Sequence, residues 1–310
     1  MSEPDVGEIE RREIQDHVRK VLRDLGNPEP PLSLPDVRKL LHLDLKYYDG
    51  SDAGLLAEVS HRVKLLTKKT LPDAVKHVRD VIARSKLLAF WVPESKRVLI
   101  DSSVPKPKHR WIEGHEITHS IAPWHRDFLL GDDKETLDPS CRAMLEAEAN
   151  FGAGQLLFLQ DRFANEARDV APSIESVKAL ASRYNNSITS TLWRLVEERD
   201  PSKPVFGMIS VHPNDPNIGA HDGASPWRYF IRSGAFRTQF SNVKPAEVYR
   251  LVAHHASYRK RGPVLETHDF LTDIAGEAWE FTIEGFSNSH ALLTLGCALR
   301  KRSTIVVAPR

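Results

Sequence analysis

The sequence has 310 residues, 41% hydrophobic and 27% charged, which is enough for a sizeable core and for two domains of roughly 100–200 residues. Its 43 Lys and Arg stand against 42 Asp and Glu, a formal charge of +1, so composition implies no polyanion-binding surface. Cys141 and Cys297 are isolated and form no CxxC spacing, which excludes a thiolate zinc finger and fits a reducing compartment with both thiols buried.

The highly charged first twenty residues contain no apolar h-region, so no secretory signal is expected. No apolar run reaches the roughly 18 residues of a membrane span. A soluble cytoplasmic protein with no membrane partner is predicted. Ile9, Ile14, Val18, Val21, Leu22 and Leu25 recur near helical spacing, and Gly26-Asn27-Pro28 ends that helix. A second helix starts near Ser33, with Pro35 in its first turn and Leu34, Val37, Leu40 and Leu41 as its apolar face. A third covers 71–82. Residues 87–92 and 97–101 read as strands joined by a turn at Pro93-Glu94-Ser95-Lys96.

A helix is predicted from about residue 108 to 121, stopped by Pro123, and a longer one from Pro139 or Ser140 to Phe163. Two short helices flank Tyr184-Asn185-Asn186, with Ser173 and Ser187 as N-caps. After Pro201-Ser202-Lys203-Pro204, Trp227, Tyr229 and Ile231 alternate with Arg228 and Arg232. Trp279, Phe281 and Ile283 alternate with Glu280, Thr282 and Glu284. This period argues antiparallel strands with one wet face. The predicted class is α+β. A helical N-terminal segment and small sheet carry the first domain, a helical pair follows, and a mixed α/β C-terminal domain ends the chain.

The chemistry lies in Gly114-His115-Glu116-Ile117-Thr118-His119, an HExxH pattern on a predicted helix. Residues four apart share a face, so both imidazoles reach one ion, and neutral imidazole is a good zinc donor. Glu116 sits beside the pair, where it can take a proton from a water that the metal acidifies. A catalytic zinc site needs a third ligand. Glu146 and Asn150 are four apart on the following helix, which suits one as ligand and the other as its hydrogen-bonding support. Glu148 points about 200° away from Glu146 on the helix and reads as solvated or paired with a base. His125 is the rival third ligand, because residues 115–125 nearly fit HExxHxxGxxH with Ala122 in place of glycine. Spacing weighs towards Glu146.

HExxH followed by Glu146-Ala147-Glu148-Ala149-Asn150-Phe151 and then Leu156-Leu157-Phe158 resembles the IrrE/ImmA zinc metallopeptidases. The resemblance is strong over about 98–163 and weaker through about 173–198. It implies a zincin-like fold, Zn2+ held by His115, His119 and Glu146, and Glu116 as general base. It also implies that 173–198 is the helix-turn-helix region, and that the substrate is a protein, typically a helix-turn-helix repressor. Gly152 and Gly154 depart from the family pattern and predict a locally loose helix. Leu159 replaces a proline common in the family, so the helix is expected to run on. The resulting division is 1–170 as metallopeptidase, 171–200 as the helix-turn-helix-like segment, and 201–310 as an α+β domain for sensing or substrate recognition.

The rival function is a DNA-binding or partner-binding regulator with a structural or vestigial metal site. Direct nucleic-acid binding stays open, but the second helix of the pair offers only Arg194 to a phosphate or base, which weighs towards a structural role for the pair. The same pair also reads as an αα-hairpin buttressing the peptidase. Trp124 and His125 wall the cleft or pack its turn, and Arg126-Asp127 reads as a solvated pair. His254 and His255 are adjacent on a helix and so do not face one ion. The basic runs 259–261 and 300–302 read as solvated loop ends.

Overall fold

The computed structural model describes residues 6–48, 89–92, 96–125, 139–215 and 225–302. The predicted helix at 71–82 and the pair Arg126-Asp127 lie outside the described residues. The chain divides into two compact units, Met1–Gln160 and Asp161–Arg310.

In the first unit, α1 (Glu8–Asp24) buries Ile14, Val18, Val21 and Leu22 on one stripe. Ile9 was expected on that stripe but is 71% exposed, because it lies about 140° round the helix from Ile14. The helix closes through Gly26 and Asn27, both left-handed at φ 77° and 53°, a conformation these two residue types tolerate best. Ser33 precedes α2 (Leu34–Leu41), with proline in its first turn. This helix buries Leu34 and Val37, while Leu40 and Leu41 are only half-buried.

A three-stranded sheet follows, formed by β1 (Asp44–Tyr48), β2 (Ala89–Val92) and β3 (Arg97–Asp101) in the order β1-β3-β2. β2 runs antiparallel to β3 and β1 parallel to it. The central strand buries Val98, Leu99 and Ile100 completely. α3 (Lys106–Ile121) lies against β2 and β3, and α4 (Pro139–Leu157) lies against α3 and α1. Ala122 leaves α3 in an extended conformation, as expected of a residue preceding proline.

Glycine sets the spacing of these helices. A Cβ on Gly152 would overlap the Thr118 side chain on α3 and lie 3.0 Å from Ile14 Cγ2 on α1. A Cβ on Gly114 would lie 3.0 Å from Leu157 Cδ1. Gly152 is therefore the point where three helices meet, and not the loose spot its low helix propensity suggested. The expected continuation of α4 to Phe163 also fails. Leu159 and Gln160 both adopt left-handed φ, 58° and 50°, and end the helix. Gln160 Nε2 then donates to the Gln15 carbonyl on α1 at 2.6 Å.

The second unit opens with α5 (Asp161–Arg168), α6 (Ile174–Tyr184) and α7 (Ile188–Glu198). Ser173 Oγ accepts from Ser176 N–H at 3.1 Å and Ser187 Oγ from Ser190 N–H at 3.0 Å, the predicted caps. Asn185, left-handed at φ 52°, makes the turn between α6 and α7. The remaining elements are β4 (Val205–Ser210), β5 (Trp227–Arg232), α8 (Gly234–Gln239), α9 (Pro245–His255), β6 (Arg261–Thr272), β7 (Ala278–Asn288) and β8 (Leu292–Lys301).

The five strands form an antiparallel sheet in the order β5-β4-β8-β7-β6. α7 packs on β4 and β5, and α6 on β7. The helical pair at 171–200 thus belongs with the C-terminal sheet. Phe206, Phe236, Phe240 and Phe281 centre an apolar core with Val248, Val252 and Leu292. Two further expectations change. Cys297 is buried, which pushes its thiol pKa up to about 12, but Cys141 is partly exposed. Arg300 and Lys301 are strand residues paired with Glu280 at 2.7 Å and Glu277 at 3.1 Å, not a loop end.

Candidate metal centre

α3 and α4 each bring their polar residues to the seam where they touch. His115 and His119, one turn apart on α3, present their Nε2 atoms 3.2 Å from each other. Glu146 on α4 places Oε2 3.2 Å from His115 Nε2. One ligand atom from each of His115, His119 and Glu146 falls within 4.8 Å of the others, the group of that kind found among the described residues. His115 Nδ1 lies 3.0 Å from Asn150 Oδ1. An amide oxygen only accepts, so Nδ1 carries the hydrogen of that bond.

Glu116 is buried beside this group, and the backbone N–H of Trp91 on β2 donates to its carboxylate. Burial pushes its pKa up to about 7. The neighbouring His115 opposes that rise and Glu146 adds to it. Burial would lower the pKa of His115, but its hydrogen bond to Glu146 and the charges of Glu116 and Glu146 outweigh burial and raise it. His119 falls well below the ordinary value through burial, then through His115 and His125. Two carboxylates and one neutral imidazole so held form a set that a divalent cation would relieve. Tyr48 on β1 is also pushed up, to about 12, by burial and then by Asp101 and Glu116.

His125 does not join the cluster. It is fully buried behind His119, with Nδ1 2.7 Å from His119 Nδ1 and Nε2 2.8 Å from Glu148 Oε2. Glu148 is not solvated. It is 3% exposed and also accepts from Trp124 Nε1 at 2.7 Å. These hydrogen bonds hold its pKa low against the upward push of burial. Trp124 and His125 thus pack the turn after α3 onto α4. Of the two sequence readings of Glu148, pairing with a base agrees with the structure and solvation does not; that the base is His125 carried no sequence signal. Glu113 on α3 is clamped by Arg38 of α2 at 2.7 Å, which ties down the helix two residues before His115.

The donor set fits a zinc ion. Both imidazoles turn Nε2 inwards, their Nδ1 atoms are engaged from behind, and a carboxylate completes three protein ligands, the number kept by catalytic zinc sites. No helix among the described residues is long and apolar enough to cross a membrane.

No family model matches the chain. The radiation response metalloprotease IrrE of Deinococcus deserti is 27% identical over 132 residues. That stretch is 43% of this chain and 46% of the relative, so the chain spans less than half the length of the protein it matches. Among solved structures, a Mycobacterium tuberculosis transcriptional regulator aligns with TM-score 0.51 at 10% identity, over 93% of this chain and 88% of that one. At that identity the likeness is one of fold, and it agrees with the α+β class.

Proposed function

We propose that the chain is a zinc-dependent endopeptidase with a zincin-like first unit, in which His115, His119 and Glu146 hold the metal and Glu116 is the general base. The observation that carries the reading is the cluster of three donors within 4.8 Å, with a buried carboxylate one residue from the first histidine. A bound zinc ion supplies Lewis acidity that polarises a carbonyl and acidifies water. Glu116 takes the proton of the attacking water and returns it to the leaving amine, a role suited to a carboxyl whose pKa burial raises. Asn150 keeps His115 in the tautomer that turns its Nε2 lone pair to the metal.

The substrate is a protein, and a helix-turn-helix repressor is the best fit to the resemblance in the α3–α4 segment and to the metalloprotease relative. The second unit would recognise that substrate or sense the signal. Direct DNA reading is less supported. Arg194 on α7 is buried and ion-paired with Glu198, and the helix faces its own sheet.

The test is the metal content of purified wild type, His115→Ala and Glu146→Ala, followed by incubation of the zinc form with a repressor encoded nearby. About one zinc per wild-type chain, lost in both variants, supports the site. A discrete cleavage of the repressor supports the activity. A wild type that takes up no zinc overturns the reading.

A further inference from the structure

We propose that Glu148 and His125 are positioning residues for the metal ligand His119, an inference that rests on the metallopeptidase reading. If His119 is to keep its Nε2 lone pair for the metal, the bonds admit one arrangement of hydrogens. Glu148 is acceptor-only when ionised, so His125 donates to it from Nε2 at 2.8 Å. Neutral His125 then has a bare Nδ1, which must accept from His119 Nδ1 at 2.7 Å. His119 is left with its Nε2 lone pair facing His115 and Glu146. The direction of each bond fixes the next, from the carboxylate to the cluster.

Rotation is fixed as well as tautomer. Trp124 Nε1 bonds the same Glu148 oxygen at 2.7 Å, so the carboxylate is anchored from two sides and cannot swing away with His125. All three residues lie behind His119, and none offers an atom to the metal cluster. His115 and His119 therefore receive their orientation from different faces of α4, by Asn150 for one and by Glu148 through His125 for the other.

The experiment compares two substitutions of equal shape. Asparagine at position 125 keeps an oxygen near the Nδ1 position and can accept from His119, whereas leucine cannot. Zinc affinity is measured by chelator competition, and the cobalt(II) absorption spectrum reports ligand geometry, both without substrate. His125→Leu is expected to bind zinc about 10–100-fold more weakly with an altered cobalt spectrum, and His125→Asn to recover a large part of that loss. Equal losses in the two variants would mean that His125 only fills space, and the inference falls. Glu148→Gln, which changes no volume, serves if either variant at 125 does not fold, and unchanged affinity there also overturns the inference. A wild type that binds no zinc fails the metallopeptidase reading itself, and so the two failures are distinguishable.

Discussion

Along α3 and α4 the first unit buries Glu113, Glu116, His119 and Glu148, with His125 beneath the turn. At the same depth the second unit buries Phe206, Phe236, Phe240 and Phe281, whose rings meet at centroid distances of 5.0 to 6.1 Å. Burying a carboxylate or an imidazole costs free energy unless it is paired, whereas burying a ring is favourable by itself. The difference separates two jobs. The phenylalanine cluster can be explained by stability alone, but the α3–α4 seam contains groups that an apolar residue of similar volume would replace with no loss of packing. Charge retained in such a place argues for chemistry.

The sharpest way to break that contrast is to neutralise one buried charge and keep its shape. Glu116→Gln should lower the turnover of the zinc-loaded enzyme by about 10²–10⁴-fold, with zinc content unchanged. Melting should stay level or rise, since a buried charge has gone. Activity near wild type, measured on a cleaved repressor or peptide, would mean that Glu116 is there for structure. The converse substitution lies in the other core. Phe281→Ala should destabilise the protein by about 3–5 kcal/mol through the cavity it leaves, followed by denaturant melts. Zinc affinity of the folded fraction should be unchanged, and a parallel loss would show that the two interiors are not separate in function.

A smaller effect tests how α3 and α4 are held. Gly152 faces Thr118 and Ile14 with no room for a methyl group. Gly152→Ala should therefore cost about 1–3 kcal/mol by overpacking and weaken zinc binding, because α4 carries Glu146. Propensity alone predicts the opposite sign, a gain of about 0.5–1 kcal/mol for alanine in a helix. A chemical melt with a zinc titration decides between them.

Gly152 also shows where sequence reading ends. The spacing of His115, His119, Glu146 and Asn150 is a local, periodic signal, and a helix face can be read from it. That Gly152 is a contact, that Glu148 meets His125, and that Leu159 and Gln160 turn left-handed are tertiary facts with no period. The strands divide in the same way. β5 and β7 alternate wet and dry faces and are legible. β4 is buried on both faces along all six residues, and β1 exposes most of its length, so neither alternates. In β6 the run Arg261-Gly262-Pro263 hides the start of a twelve-residue strand.

The smallest effect concerns the helical pair that rests on the phenylalanine-centred sheet. Ser173 and Ser187 cap α6 and α7 by the same bond, so removing either hydroxyl is expected to cost about 1 kcal/mol. The surroundings differ. The first free N–H of α6, on Ile174, is also met by Glu284 Oε2 from β7 at 2.8 Å, and a carboxylate there is favoured by the helix dipole. At the start of α7 the cap is supplied by Ser187 itself, whose Oγ accepts from Ser190 N–H. Ser187→Ala should therefore lower stability more than Ser173→Ala, and the gap should close in a Glu284→Gln background. Equal losses in the wild-type background, read from denaturant midpoints, would mean that β7 contributes nothing to holding α6.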